Sequence, residues 1–330
     1  MKKVLLILAV LFVSGFASKS LIDEVSPLWQ IWKDRYQKTY AEEEEIERFA
    51  IFAKNYEKIM KYNAESDSAR LALNKFADLT NAEFAAKNSR CAYAETDEEL
   101  IRENTLAPQD IGALPTNVDW RNHGAVTPIK NQGQCGSCWT FSTTGVLEGW
   151  HFLHAGKLLS FSEQQIVDCD TGTNQGCDGG YPYLAVQYAA KNGLELESDY
   201  PYTAQDGTCK YEKSKTTAVA SGYKFVTADS TNDLKAALVN SPVSVLVEAD
   251  QDAFQFYSSG VLKTGCGASL DHAVLAVGYT KVGVLEAFIV KNSWGTDWGE
   301  QGYIYIWDEQ NVNGGKGVCG ILSQPMIPTN

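Results

Sequence analysis

The sequence is short of positive charge. Its 330 residues carry 28 Lys+Arg against 41 Asp+Glu, a formal net charge of −13. Nucleic acid and anionic membrane surfaces attract Lys/Arg-rich faces, so both are excluded as the main partner. Long apolar runs are also missing. The longest, Val4 to Val13, has ten residues, whereas a bilayer span needs about 20. That run follows Lys2 and Lys3 and precedes Gly15 and Ala17, small residues at a cleavage position. The pattern predicts a signal peptide over 1–17 and entry into an oxidising lumen. No Asn-x-Ser/Thr acceptor occurs, so targeting through an N-linked glycan is not supported. Eight cysteines are too few for a cysteine-dense miniprotein but enough for several disulfides.

What is present divides the rest in two. Residues 18–113 hold one cysteine, Cys91, and carry 13 basic against 19 acidic residues; residues 114–330 hold seven cysteines and carry 13 against 22. In the first part Glu44, Arg48, Phe52, Asn55, Ile59 and Asn63 recur at steps of three and four, one side of a helix. Packing of Phe52 and Ile59 accounts for the spacing but not for Asn55 and Asn63. The acidic, unpatterned stretch from Glu95 to Asp110 reads as an exposed linker, with a boundary before Leu114-Pro115. In the second part helices are predicted over 138–155, over 162–169 from a Ser162/Gln165 capping box, and over 182–192, stopping at Gly193. Strands follow over 243–247, 273–279, 287–290 and 303–307. Helices first and strands later imply an α+β fold with a helical lobe against a β lobe.

Seven cysteines after residue 113 leave three pairs and one unpaired thiol. Cys138, in Gln132-Gly-Gln-Cys135-Gly-Ser-Cys138-Trp139, stands at a predicted helix N-terminus, whose free N–H groups and positive dipole end favour a thiolate. A Cys nucleophile needs an imidazole to pair with and to protonate the leaving amine. His272 opens a predicted strand and fits. His151 and His154 lie along the helix that Cys138 opens, about 20 Å or more away, and His123 sits in a polar turn. The amide oxygen of Asn292 can orient the imidazole, with Trp294 keeping water off that bond. Gln132 and the N–H of Cys138 can donate to an oxyanion. Together these residues assemble a Cys/His/Asn site.

With those residues in place, the sequence resembles the papain family of cysteine peptidases. Gln-x-x-x-Cys-Gly-Ser-Cys-Trp carries the resemblance, with His272 and Asn292 following 134 and 154 residues after Cys138. The Glu44-to-Asn63 stripe matches the family's propeptide helix. Ala72, Asn74, Phe76 and Asp78 match a second propeptide motif, with Ala72 where the pattern has Gly; both are similar to the cathepsin L-like subgroup. The resemblance implies a papain-like two-lobe fold, helical lobe plus β-barrel-like lobe, and domains 1–17 (signal peptide), 18–113 (inhibitory propeptide, removed at acid pH) and 114–330 (mature peptidase). It implies disulfides Cys135–Cys177, Cys169–Cys209 and Cys266–Cys319, with Cys138 free and Cys91 without a mature partner. Gly179 and Gly180 match the segment that pairs with a substrate's extended chain. Tyr181, Pro182, Leu246, Leu270, Ala273 and Gln324 match the pocket for the second residue before the scissile bond, which should be mainly hydrophobic. No insertion resembling an occluding loop is visible, which favours endopeptidase action.

The implied protein is a monomeric zymogen of the secretory pathway, lysosomal, vacuolar or extracellular. It acts on protein and peptide substrates, with its own propeptide as inhibitor and without metal or cofactor. Two alternatives belong to other classes. Cys135-Gly-Ser-Cys138 has the Cys-x-x-Cys form of a lumenal dithiol oxidoreductase, or zinc could use the pair. A non-catalytic homologue could bind peptides only.

Overall fold

The computed structural model describes residues 19–88, 98–107 and 112–330. The predicted signal peptide, Cys91 and part of the acidic linker lie outside them. The N-terminal segment is built on two helices, α1 (Lys19–Tyr36) and α2 (Glu42–Glu65). Their contact is aromatic: Trp29 stacks on Trp32 at 5.3 Å, and Phe52 meets both rings at 5.1 and 5.3 Å. The two asparagines of the α2 stripe bond the chain that follows. Asn55 Nδ2 donates to the carbonyls of Ala77 and Leu79 at 3.0 and 2.8 Å. Asn63 exchanges two hydrogen bonds of 2.9 Å with the main chain of Leu71. Arg48 reaches the Asp78 carbonyl and Glu83 at 3.2 and 2.8 Å. Helix α2 therefore moulds residues 71–79 rather than only packing on them.

Two short elements follow, β1 (Ala69–Leu71) and α3 (Asn81–Asn88); α4 (Glu98–Glu103) lies further on. Ala72 stands where the propeptide pattern has Gly. It has no left-handed backbone conformation, and its N–H donates to the Phe256 carbonyl at 2.9 Å. An alanine fits there at no backbone cost.

From residue 112 on, the helices are α5 (Cys138–Ala155), α6 (Glu163–Cys169), α7 (Pro182–Asn192), α8 (Thr231–Asn240) and the single turn α9 (Asp252–Gln255). The strands are β2 (Val118–Asp119), β3 (Gly222–Phe225), β4 (Val243–Val247), β5 (Tyr257–Leu262), β6 (His272–Val282), β7 (Leu285–Lys291), β8 (Tyr303–Trp307) and β9 (Met326–Thr329). Among the described residues they form one sheet in the order β1-β5-β8-β7-β6-β4-β9-β3, with β2 on β6. Strand β1 of the N-terminal segment adds antiparallel to β5.

Helix α5 is the centre of the helical lobe and is buried along most of its length. It bonds the β lobe directly: Ser142 Oγ lies 2.8 Å from the Val274 carbonyl and 2.7 Å from Ser244 Oγ. Helix α6 opens with Ser162 accepting from Gln165 N–H at 2.9 Å. The other half of the predicted capping box is absent. The Gln165 side chain instead bonds Gly193 and Glu195, 28 and 30 residues on. Disulfides Cys135–Cys177, Cys169–Cys209 and Cys266–Cys319 are present. Each closes 40 to 53 residues. Loops of that size are worth about 4 kcal/mol in the chain-entropy model.

Candidate active site

Two adjacent strands place the imidazole. His272 is the first residue of β6, and Asn292 directly follows β7. Asp271 pins the strand start by accepting from the N–H groups of Ala249 and Asp250 at 2.7 and 3.1 Å. Leu275 pairs with Lys291 across the two strands. This brings His272 Nε2 to 2.7 Å from Asn292 Oδ1. Asn292 Oδ1 also accepts from Ser293 N–H at 2.8 Å, which fixes its amide with the oxygen toward the ring. Nε2 is then the donor and the proton sits there. The other ring nitrogen, Nδ1, is buried with no hydrogen-bond partner among the described residues. Trp294 stacks on the imidazole at 4.6 Å and 25°. It is itself walled by Phe254 and Trp298 at 5.7 and 5.0 Å.

The helical lobe supplies the rest. Cys138 is the first residue of α5, where unsatisfied N–H groups and the positive dipole end converge. Gln132 is fully buried and ties the lobes together. Its N–H donates to the Ser293 carbonyl at 2.8 Å, its Oε1 accepts from Ser293 Oγ at 2.7 Å, and its Nε2 donates to the Cys135 carbonyl at 3.0 Å. Gln132 thus lies beside Asn292 on one flank and beside the Cys135–Cys138 turn on the other. Ser293, which spacing does not reveal, makes that junction.

The N-terminal segment covers this ground. Phe76 and Phe84 meet Trp294 edge-on at 5.7 and 5.3 Å. Lys75 bonds the Trp294 carbonyl and pairs with Asp297 at 3.0 Å. Asn74 donates to the Gln255 carbonyl at 2.7 Å, and Gln255 returns a bond to the Phe76 carbonyl at 3.3 Å. The Asn88 carbonyl, closing α3, stands 3.5 Å from Gln132 Nε2. His272 itself is fully buried. Burial pushes its pKa down to about 4, against the opposing hydrogen bond to Asn292.

Of the residues expected along the cleft, three share one cluster. Leu246 faces Ala273 across β4 and β6, and both share a buried cluster with Cys138, Met326 and, at its edge, Leu270. Pro182 is the first residue of α7 and Tyr181 its cap. Gln324 is half-buried two residues before Met326. Gly180 has no room for a side chain: a Cβ would stand 2.7 Å from both Asn174 Oδ1 and Trp139. The Asn174 oxygen is needed there, accepting from Tyr181 N–H at 2.7 Å. The other histidines lie elsewhere. His154 bonds the Trp150 carbonyl, His151 packs on Phe161 and His123 on Trp120.

Behind the site lies a charged cluster that the sequence reading missed. Lys130 Nζ reaches Glu148 at 2.9 Å and Glu163 at 2.6 Å. Lys291 Nζ donates to Thr127, whose hydroxyl donates to Glu148. Burial raises Glu163 to about 7, and burial lowers Lys291 to about 8. A cavity of about 20 Å³ adjoins them, enough for one water. Four ionisable groups spread over 162 residues give no local pattern to read.

One expectation needs correction. Cys138 is not a free thiol in this structure but is disulfide-bonded. The dithiol alternative needs Cys135 as its partner, yet Cys135 pairs with Cys177.

Comparison with known proteins fits this arrangement. The model of the papain family cysteine proteases matches residues 114–329, and that of the cathepsin propeptide inhibitor domain matches 29–84. The chain belongs to the papain family of cysteine peptidases. It is 41% identical to digestive cysteine proteinase 2 of Homarus americanus, over 97% of this chain and 99% of that one. The thiol protease SEN102 of Hemerocallis is also 41% identical, over 95% and 89%. Digestive procathepsin L 3 from the larval midgut of Tenebrio molitor superposes with a TM-score of 0.81 at 36% identity, covering 92% and 99% of the two chains. This cysteine peptidase therefore has a papain-like fold and carries an N-terminal propeptide inhibitor domain, the organisation of a zymogen. Among the described residues no helix is long and apolar enough to cross a membrane.

Proposed function

We propose that the mature part, residues 114–330, is an endopeptidase that uses Cys138 as nucleophile, His272 as acid and base, Asn292 as the orienting amide and Gln132 as an oxyanion donor. The observation that carries this is the buried 2.7 Å bond from His272 to Asn292, next to Ala273, which shares a buried cluster with Cys138. With Nε2 committed to Asn292, Nδ1 is the nitrogen left to exchange protons with sulfur. The Cys138 thiolate forms a C–S bond to the peptide carbonyl. The oxyanion takes hydrogen bonds from Gln132 Nε2 and Cys138 N–H. Each such donor is worth about 10²–10³ in rate. His272 protonates the leaving amine, and the C–N bond breaks. Water, deprotonated by His272, then releases the acid and returns the sulfur.

The residues at Leu246, Leu270 and Ala273 favour an apolar residue at the second position before the scissile bond, with Gln324 extending the tolerance. Residues 1–17 serve as signal peptide and 18–113 as inhibitory prosegment in a lumenal compartment, where three disulfides persist. Acid activation follows from His272. In the closed zymogen its pKa is depressed, so the closed form binds fewer protons than a form with the ring exposed. Closure then weakens as pH falls from about 6.5 toward 4. Asp78 bonds Lys38 and Tyr40 within the prosegment.

The test is to incubate the precursor with thiol at acid pH, read the new N-terminus and profile cleavage on a peptide library. Maturation near residue 114 and cleavage after apolar second positions are expected. A folded precursor that stays intact between about pH 4 and 6 refutes acid activation, and a preference for Arg over Leu refutes the apolar pocket.

A further inference from the structure

We propose that the outer edge of β3 is an exosite, a second place at which the mature enzyme grips an extended, apolar segment of a protein substrate outside the cleft. This rests on the proposed peptidase function. Among the described residues β3 is the last strand of the sheet, and the prosegment occupies its outer side. Thr105 bridges Phe225 in parallel. Phe225 N–H donates to the Asn104 carbonyl at 2.9 Å, and the Phe225 carbonyl accepts from Leu106 N–H at 2.8 Å. Lys224 Nζ adds a bond to the Glu103 carbonyl at 3.4 Å. Ile101 of α4 packs on the buried cluster that holds Tyr223 and Phe225. Leu106 and Ala107 border a cavity of about 220 Å³, walled also by Val226, Ala236, Ala237 and Ile327. The prosegment therefore sits on an apolar recess that it does not fill, and a larger side chain at the Leu106 position has room there.

When the prosegment leaves, the outward N–H and carbonyl of Phe225 lose these partners, and such an edge pairs readily with a new strand. Main-chain bonds then supply affinity, and the recess supplies selectivity for an apolar side chain. Two observations favour a substrate segment as the occupant. The prosegment shows one chain holding two places at once: Phe76 and Phe84 lie against Trp294, while residues 104–106 pair with β3. A protein substrate held in the cleft can do the same with a segment further along its chain, whereas a short peptide cannot. The edge also adjoins the expected cleft. Tyr183 meets Tyr223 and Phe225 at 5.4 and 5.7 Å and Tyr181 at 5.5 Å, and Tyr181 is one of the residues matched to the pocket before the scissile bond. Two-point attachment raises apparent affinity by about 10²–10⁴ when the span between the sites is matched. Because the second contact is the same before and during bond cleavage, it lowers KM for long substrates and leaves kcat unchanged.

The test uses enzyme matured from the full-length zymogen and kept with thiol, a synthetic peptide of residues 98–107, casein as the long substrate and a short peptide amide as the other. The synthetic peptide should raise KM for casein without lowering kcat and leave hydrolysis of the amide unchanged. Its Leu106→Phe form should compete about tenfold better and its Leu106→Ala form about tenfold worse. N-methylation at Leu106 removes the bond to the Phe225 carbonyl and should weaken competition by about tenfold. In the enzyme, Thr227→Trp fills the recess from its half-buried border. It should raise KM for casein by about tenfold or more with kcat/KM for the amide intact, which also reports that the variant is folded; should it not fold, the peptide series on wild type decides. Equal inhibition of both substrates places the peptide in the cleft and overturns the exosite. So do casein hydrolysis untouched by the peptide, residues 98–107 retained on the matured enzyme by intact mass, and a dimer that the peptide dissociates. If wild type hydrolyses neither substrate, the peptidase reading fails, while binding of the fluorescently labelled peptide to the matured chain, and its loss on N-methylation, still decides the docking edge.

Discussion

Replacing Asn55 by alanine removes two hydrogen bonds without changing the helix that carries them. Asn55 is 3% exposed, and its amide donates at 3.0 Å to the Ala77 carbonyl and at 2.8 Å to that of Leu79. Ala77 is fully buried and Leu79 half-buried, so the first carbonyl is stranded and the second is partly rehydrated. A stranded buried acceptor costs about 1–3 kcal/mol and the second bond about 1 more. The expected loss is therefore about 2–4 kcal/mol in the local stability of residues 74–79. The assay is native-state hydrogen exchange on zymogen made inert by Cys138→Ser, where amides of that segment should exchange about 30–1000 times faster. Asn55→Asp sharpens the test. At pH 7 its carboxylate faces two carbonyl oxygens and should be worse than alanine. As pH falls through its pKa, the acid gains an O–H donor and the penalty should shrink. An alanine variant within about 0.5 kcal/mol of wild type, or an aspartate variant equal to it at pH 7, would show that α2 does not hold this segment through Asn55.

Other outcomes follow from the same geometry. In the Cys138→Ser zymogen, hydrogen exchange of residues 74–88 should rise as pH falls from about 6.5 to 4; adding His272→Asn should flatten that slope, because the base that gains a proton on opening is gone. Glu163 is buried, its Oε2 has no partner among the described residues, and burial raises its pKa to about 7. The folded state thus holds a proton that the unfolded chain loses, and stability should fall as pH rises from about 4.5 to 7. Glu163→Gln should remove that component from urea midpoints measured across the range. Gly180→Ala forces a contact of 2.7 Å with Asn174 Oδ1 and Trp139; it should displace the bond to Tyr181 N–H and lower thermal stability by about 1–3 kcal/mol, read as Tm. Cys169→Ala with Cys209→Ala should cost about 2–5 kcal/mol by urea unfolding.

Much of this architecture is written in local pattern. The stripe from Glu44 to Asn63 is legible because a helix repeats its contacts every three or four residues, and α5 and α7 are legible through their ends, Cys138 and Gly193. His272 and Asn292 are found by residue type and resemblance, since nothing local couples positions 20 apart on two strands. What escapes is pairing at a distance. Strand β1 has three residues and no pattern of its own; its partner β5 lies nearly 190 residues on. Gln165 fits a capping box, but a better partner at Gly193 and Glu195 takes its amide. Helix α8 carries an unread signal, Ser230 accepting from Asp233 N–H at 3.2 Å. The disulfide state of Cys138 escapes because the resemblance implies a free sulfur there.

The addition of β1 to β5 sets a condition on the mature enzyme. Gly260, with φ of +78°, admits the Ser68 carbonyl to within 2.0 Å of where a Cβ would stand, so that border is shaped for a visiting backbone. Once residues 69–71 leave, the main-chain groups of β5 that they bonded face water. Such a bare margin invites another strand. The released prosegment can return to it, and so can any extended peptide of matching register, which makes the departure of the inhibitor reversible until something digests it.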